Sequence, residues 1–372
     1  MSYQSELDQL CTAAPTPAGA ALSDADNLAY LQFQAALEYF APGHPATLAD
    51  HAAYLHNKKL TDLEFAHAHE LETLGVMRVR GDAALDMQRP AIYVSFHLGS
   101  YTSTATAVFT RGLPMALVLG DDAFGDKRAM FERAAHAWMA AHPDSGARWS
   151  AINAETRGAV IGMMRAVRQG QSLFFYLDGN KGLQQNQDAD LIDVTVGPAA
   201  IRSRRGIAFL SHSLGLPIVP VLAHRTRPDR IEAEFFEAIR PSGDVDTYVA
   251  SATQALWNRF YDVFRRDPLQ WESLCHAYGF RPRAAERPVA AFDPEARYGF
   301  NAARYRLFAN GSPLMFDGAC AEPVRLGQGY FQLLKKLDAA RIDVPGRMLA
   351  DIVKDGAALA RLLDHDVLIA RS

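Results

Sequence analysis

The chain reads as an α/β protein, with a largely parallel central sheet flanked by helices, an N-terminal helical segment and a small C-terminal module. Three observations predict this. Between residues 81 and 283, short apolar runs rich in β-branched and aromatic residues alternate with segments of helical period. With 372 residues, 49% of them hydrophobic, the chain can bury a full core and still carry a second domain. A stretch at 284–298 containing Pro288 and Pro294, just after Pro282, has the composition of a linker and separates the sheet region from 299–372.

Within 1–80, NLAYLQFQAALEYF, LADHAAYLHNKK and DLEFAHAHELETL place apolar residues at helical spacing, broken by the Pro42-Gly43 turn. The His67, His69, Glu70 cluster sits in the last of these. Positions two apart diverge on a helix, so these side chains read as solvated, and no metal site is expected.

Strands are expected near 91–96, 114–119, 173–178, 192–196, 217–223 and 231–235, with helices near 100–110, 126–141, 157–169 and 200–214. Gly170 and Gly215 fit helix ends, and DTYVASATQALWNRFYDVFRRDP reads as an amphipathic helix stopping at Asp267-Pro268.

The first of these strands carries the strongest chemical signal. AIYVSFHLGSYTS, 91–103, runs from a buried strand pattern into His97, then Gly99 for a sharp turn and Ser100 as a helix cap. Ligands of open α/β sheets bind outside the carboxyl ends of strands, which singles out His97 among twelve histidines. The bland alternative is a locally bonded histidine at a strand end. Asp178 closes the LFFYLD run and is expected at the same sheet edge, either as a partner for His97 or as a cap before the Gly179-Asn180 turn.

Composition excludes several classes. The formal net charge of -4 gives no basic field for nucleic acid. Cys11, Cys275 and Cys320 are widely spaced and odd in number, which suits neither a metal site nor a disulfide framework and points to a reducing cytoplasm. The N-terminal stretch has no basic segment followed by an apolar run, and no window reaches the about 18 apolar residues of a membrane span. Peripheral membrane contact stays open. No Gly-x-Ser-x-Gly elbow is present, which argues against a serine-triad hydrolase.

FHLGSYTS resembles the His motif of the lysophospholipid acyltransferase superfamily, most closely its lipid A late acyltransferase branch. RGAVIGMMRAVRQGQSLFFYLDGNKG, VTVGPAAIRSRRGIAFLSHSLGLPIVPVLAHR and DPLQWESLCHAYGFRPR follow in the family's order, so the resemblance covers about 88–283. It implies that His97 acts as general base on an acceptor hydroxyl or amine attacking an acyl thioester. The family's acidic residue, five positions after the histidine, is here Thr102, which can accept a hydrogen bond but carries no charge. Either another carboxylate supplies the role, Asp178 being the best substitute, or the acceptor is an amine that needs less help from a base, or the domain binds without transfer.

The resemblance also implies that Arg202, Arg204 and Arg205 of IRSRRG, 201–206, precede a helix near the donor and acceptor phosphates and grip a phosphate of the donor or an acidic acceptor; a basic face paired with nearby acids is the alternative. Gly99, Ser100 and Asn180 join them as substrate-binding candidates, with His97, Thr102 and Asp178 catalytic. Trp271, Glu272, His276, Phe280 and Arg281 form an aromatic block that reads as a brace, His276 being its one candidate for chemistry.

After the linker, 299–372 shows RYRLFANGSPLMFDG, a hairpin with Asn310-Gly311 at its turn, then helices in YFQLLKKLDAA and VPGRMLADIV, and a helix running into a last strand. This order resembles winged-helix modules, including the peptide-binding PqqD-like type. With no concentration of Lys or Arg on its helices, protein or peptide contact is expected over DNA.

The function expected is a soluble, cytoplasmic acyltransferase of specialised metabolism. Its donor is a thioester of acyl carrier protein or coenzyme A, its acceptor a small molecule or peptide, and it needs no metal or redox cofactor. A non-catalytic carrier-binding protein and a thioester hydrolase are the alternatives.

Overall fold

The computed structural model describes residues 2–12, 24–179, 191–282, 292–309, 312–320 and 322–371. They fall into two compact units, one spanning 1–18 and 39–282, the other 19–38 and 283–372. The helices on either side of 19–38 therefore group with the sheet, while residues up to Glu38 of the intervening helix group with the C-terminal region.

In chain order the first elements are α1 (Tyr3–Thr12), α2 (Asp24–Phe40) and α3 (Leu48–Ala66). Thr47 starts α3 with a reciprocal capping box: its hydroxyl accepts from Asp50 N at 3.2 Å, and Asp50 Oδ2 accepts from Thr47 N at 2.8 Å. The helix expected over 62–74 stops early. Val76 and Met77 both give their N–H to Leu71 O at 2.9 Å, so the chain turns directly into β1 (Met77–Arg80). His67 caps α3 and lies between Glu6 and Glu70, its side chain only 13% exposed, so it is not a solvated helix residue.

The sheet region continues with β2 (Ile92–Ser95), α4 (Tyr101–Phe109), β3 (Met115–Leu119), α5 (Asp121–Asp126), α6 (Arg128–Ala141), β4 (Trp149–Asn153), α7 (Ala159–Arg168) and β5 (Ser172–Tyr176). Then follow β6 (Leu191–Val196), β7 (Ala199–Arg204), α8 (Gly206–Leu214), β8 (Ile218–Arg227), β9 (Arg230–Phe235), α9 (Val245–Phe264) and the single turn α10 (Leu274–Ala277). Seven strands form the central sheet in the order β1-β9-β8-β2-β5-β3-β4, parallel except between β8 and β9. β2 and β3 are buried at every residue, which accounts for their continuous apolar runs.

The 200–214 helix is corrected to a strand followed by a helix. Ala199, Ile201 and Ser203 are buried while the intervening positions are not, a period of two, and β7 pairs antiparallel with β6 in a separate two-stranded sheet. The residues near 192–196 are thus outside the central sheet. β1 and β4, the sheet's two edges, were not expected: β1 is four residues long, and β4 is half-buried throughout and shows no apolar alternation. α9 buries Val249, Ala252, Leu256, Trp257, Phe260, Val263 and Phe264 at helical spacing. Its large aromatics contribute about 1.5–3 kcal/mol each by leaving water.

The second unit contains β10 (Arg297–Phe300), β11 (Tyr305–Ala309), β12 (Pro313–Asp317), β13 (Glu322–Arg325), α11 (Gln328–Ala340), β14 (Val344–Pro345), α12 (Gly346–Val353), α13 (Gly356–Asp364) and β15 (Leu368–Arg371). β14-β10-β15 and β11-β12-β13 form two small sheets around Tyr298, Phe300, Tyr305, Leu334, Leu349 and Leu368. The expected linker ends earlier than 298, because Tyr298 is buried and Arg297–Phe300 pairs with two strands. The rest of that linker falls largely outside the described residues, as does the Asn310-Gly311 turn between β11 and β12.

Candidate active site

β2 and β5 are parallel neighbours with Ser95 opposite Tyr176, and Leu177 N donates to Ser95 O at 2.9 Å. His97 and Asp178 each lie two residues further on, so both arrive at the carboxyl edge level with one another. His97 Nδ1 is 2.9 Å from Asp178 Oδ1, and the His97 backbone N–H donates to both carboxylate oxygens at 3.0 and 3.1 Å. Trp271 completes the shell, giving its indole N–H to Asp178 Oδ2 at 2.7 Å. The Asp178 side chain is fully buried, and such a carboxylate is tolerated only with its acceptors met. With Nδ1–H given to Asp178, the lone pair of His97 sits on Nε2, and the ring keeps 22% exposure.

Two tyrosines fix the plane of the imidazole. Tyr101 and Tyr176 lie with ring centroids 4.6 and 5.0 Å from that of His97. Tyr176 Oη donates to Tyr101 O at 3.1 Å, and Lys127 Nζ donates to Tyr101 Oη at 2.9 Å. Burial pushes both phenols above their ordinary range, so both stay neutral at physiological pH.

The turn after His97 is held from three sides. Gly99 has φ +59°, and a Cβ there would lie 2.4 Å from Ala223 O and 2.7 Å from His224 Cα. Gly99 N donates to Gln270 O at 3.0 Å and Glu272 N to His97 O at 2.8 Å, which ties the turn to the segment carrying Trp271. Gly99 O accepts from Thr61 Oγ1 at 3.2 Å and from Arg225 Nη2 at 3.3 Å. Arg225 in turn forms a buried bidentate pair with Glu64, both contacts 2.6 Å.

The other sequence candidates divide. Thr102 is buried in the first turn of α4, and its hydroxyl has no hydrogen-bond partner among the described residues, so it does not orient His97 there. Ser100 stands at the N-cap of α4 but does not cap it; its hydroxyl accepts from Ser103 Oγ at 2.9 Å in a buried position closed to substrate. Gly99 is likewise buried and shapes the turn instead of lining a surface. Asn180 lies outside the described residues.

Arg205 begins α8 and pairs with the exposed Asp246 at 2.8 Å, an ordinary surface contact. Arg202 lies on β7, partly buried. Arg204 is different: partly buried at the end of β7, it has Nε and Nη2 buried without hydrogen-bond partners among the described residues. Burial lowers its pKa, with the Glu155 carboxylate acting in the opposite sense. Glu155 lies just past the carboxyl end of β4. His276, on α10, has its imidazole pKa lowered by burial first and then by Lys58. Among the described residues, no group of three His, Cys, Asp or Glu is arranged to hold a metal.

Trp271, which reads from sequence as a brace, also contacts Asp178 through its indole N–H, a link that no local pattern signals. Tyr176 was visible only as part of an apolar strand. The partnership of Glu64 with Arg225 joins positions 161 apart and left no local signal.

No family model matches the chain, and no curated protein matches it in sequence. Among solved structures it is similar to the 1-acyl-sn-glycerophosphate (LPA) acyltransferase PlsC of Thermotoga maritima, at TM-score 0.32 and 10% identity, over 65% of this chain and 96% of that one. A similarity at that level adds nothing to what the site's geometry supports.

Proposed function

We propose that the protein is an acyltransferase in which His97, oriented by Asp178, is the general base. His97 Nε2 takes the proton from an acceptor hydroxyl or amine as the acceptor lone pair attacks the thioester carbonyl carbon. The carbonyl electron pair moves to oxygen. When the carbonyl re-forms, the C–S bond breaks and the leaving thiolate receives the proton from Nε2. Asp178 stabilises the imidazolium between these two transfers and holds its tautomer. No metal or redox cofactor takes part.

The observation that carries this reading is the 2.9 Å contact between His97 Nδ1 and a fully buried carboxylate, with Nε2 left free at a partly exposed sheet edge. It supplies from β5 the charge that Thr102 lacks. Arg204, with two buried guanidinium nitrogens that have no hydrogen-bond partner among the described residues, suits a phosphate of the donor, whether on carrier-protein phosphopantetheine or coenzyme A. Arg202 stands two residues earlier on the same strand and would add charge there. The acceptor in this reading is a small molecule or peptide, with the second unit as a winged-helix-like module that recruits it.

The test is incubation of the protein and of His97→Ala with acyl carrier protein and coenzyme A thioesters and a panel of amines and alcohols, following thioester loss and acyl product by mass spectrometry. Transfer by the wild type and a loss of at least 100-fold in the variant are expected. Undiminished transfer by His97→Ala overturns the assignment. Binding without turnover favours a carrier-binding protein, and release of free acid alone favours a hydrolase.

A further inference from the structure

Val160 at 59% and Ile161 at 64% are the most exposed large apolar side chains among the described residues, and they are adjacent, at the start of α7. Arg157 precedes them in the turn before α7, and Arg165 and Arg168 follow on the same side of the helix; all three are exposed, with Met164 half-buried between. Among the described residues none of the three arginines has an ion-pair partner. The acid nearest in sequence, Glu155, accepts the Asp121 backbone N–H at 3.1 Å. Arg157 also stands beside the positive end of the helix dipole, where a cation does nothing for stability.

The beginning of this face, with Arg157, Val160 and Ile161, lies on the side of the sheet where a donor would arrive, and Arg168 lies toward the opposite edge, where Gln169 O accepts from Arg148. β4 runs parallel to β3, and β3 to β5, so the start of α7 is at the carboxyl edge that carries His97 and Asp178. Resting on the acyltransferase reading above, we propose that the face formed by Arg157, Val160, Ile161, Arg165 and Arg168 docks an acidic carrier protein that presents the acyl thioester to His97. Charge complementarity selects the partner: guanidinium forks pair with carboxylates in two-point contacts, and exposed aliphatic groups between them supply the dry centre of a small interface. A bilayer fits less well. Interfacial helices insert Trp, Phe or Leu beneath their basic residues, and α7 has none of these.

The experiment measures binding of a bacterial acyl carrier protein, loaded with a decanoyl chain through a thioether that cannot be transferred, to the full chain. The comparison is with R157E/R165E and V160S/I161S variants of the full chain, surface changes whose folding is checked by thermal melting. Binding that weakens as salt rises, and at least tenfold weaker binding by R157E/R165E and V160S/I161S, is expected, with turnover of a short acyl-pantetheine thioester within twofold of wild type. A carrier affinity within twofold of wild type in both variants overturns the proposal. So does binding of the wild type to phosphatidylglycerol vesicles in place of the carrier. His97→Ala is expected to bind the loaded carrier as wild type does, which separates failure of the docking face from failure of the catalytic assignment.

Discussion

Trp271 donates its indole N–H to Asp178 at 2.7 Å, on the carboxylate oxygen opposite the one that His97 Nδ1 contacts. The bond joins the segment after α9 to the end of β5, and through Asp178 it reaches the imidazole. Under the proposed function, an aromatic residue that sequence alone casts as packing is a positioning residue for the base.

Trp271→Phe keeps the ring that packs against Phe40, Phe260 and Phe264 but removes the donor. Asp178 Oδ2 then keeps only the His97 backbone N–H at 3.1 Å, and a loss of about 1–3 kcal/mol is expected in urea unfolding. The kcat of acyl transfer should fall with KM little changed, because the contact orients the base and does not touch substrate. A purely structural role would lower stability alone.

Thr102→Val replaces a buried hydroxyl that has no partner among the described residues by a methyl of the same shape. The variant is expected to melt at or above the wild-type temperature, by up to about 1–2 kcal/mol of stability, and to retain transfer. Loss of activity without loss of fold would return Thr102 to the catalytic set.

Glu64→Gln leaves the guanidinium of Arg225 buried without its counter-charge, and removal of one partner of such a pair costs about 3–5 kcal/mol. Because Arg225 also reaches Gly99 O, the His97 turn should loosen with it. Gly99→Ala acts on the same turn by collision with Ala223 O and is expected to destabilise by more than about 1 kcal/mol. Chemical denaturation of both variants checks this, and wild-type midpoints would contradict it.

His56, His224 and His276 all have imidazole pKa values lowered by burial, from an ordinary value of 6.5. The unfolded chain binds more protons than the folded one once pH drops below that value, so their contribution is fully present above about 6.5 and is lost as pH falls through the lowered folded values. The paired carboxylates Asp50 and Asp317 are lowered from 3.8 and act only at lower pH. Urea midpoints should therefore decline between pH 7 and 5, and His224→Gln should flatten that decline. A flat wild-type profile over this range would contradict it.

Much of this site is legible because it is local. The run Ile92–Ser95 must be a buried strand, and His97-x-Gly99 must turn at its end, since both follow from side-chain type over a few residues. Asp178 is legible as a strand-end acid, but its pairing depends on the β2–β5 register, which no local pattern encodes. The strand Ala199–Arg204 is misread as helix because its apolar side is made of Ala, Ile and Ser, small or short residues that suit either period. Trp271 and the Glu64–Arg225 pair are invisible for a different reason: each acts on a segment far away in sequence.

The central claim is that Asp178, and not Thr102, completes the base. Steady-state acyl transfer by Asp178→Asn compared with Thr102→Ala tests it most directly. Asparagine keeps the shape but forfeits the charge and the tautomer control, so kcat is expected to fall by about 10²–10⁴ while Thr102→Ala stays within a few-fold of wild type. An Asp178→Asn variant with wild-type kcat, or a folded Thr102→Ala variant without activity, would contradict the account.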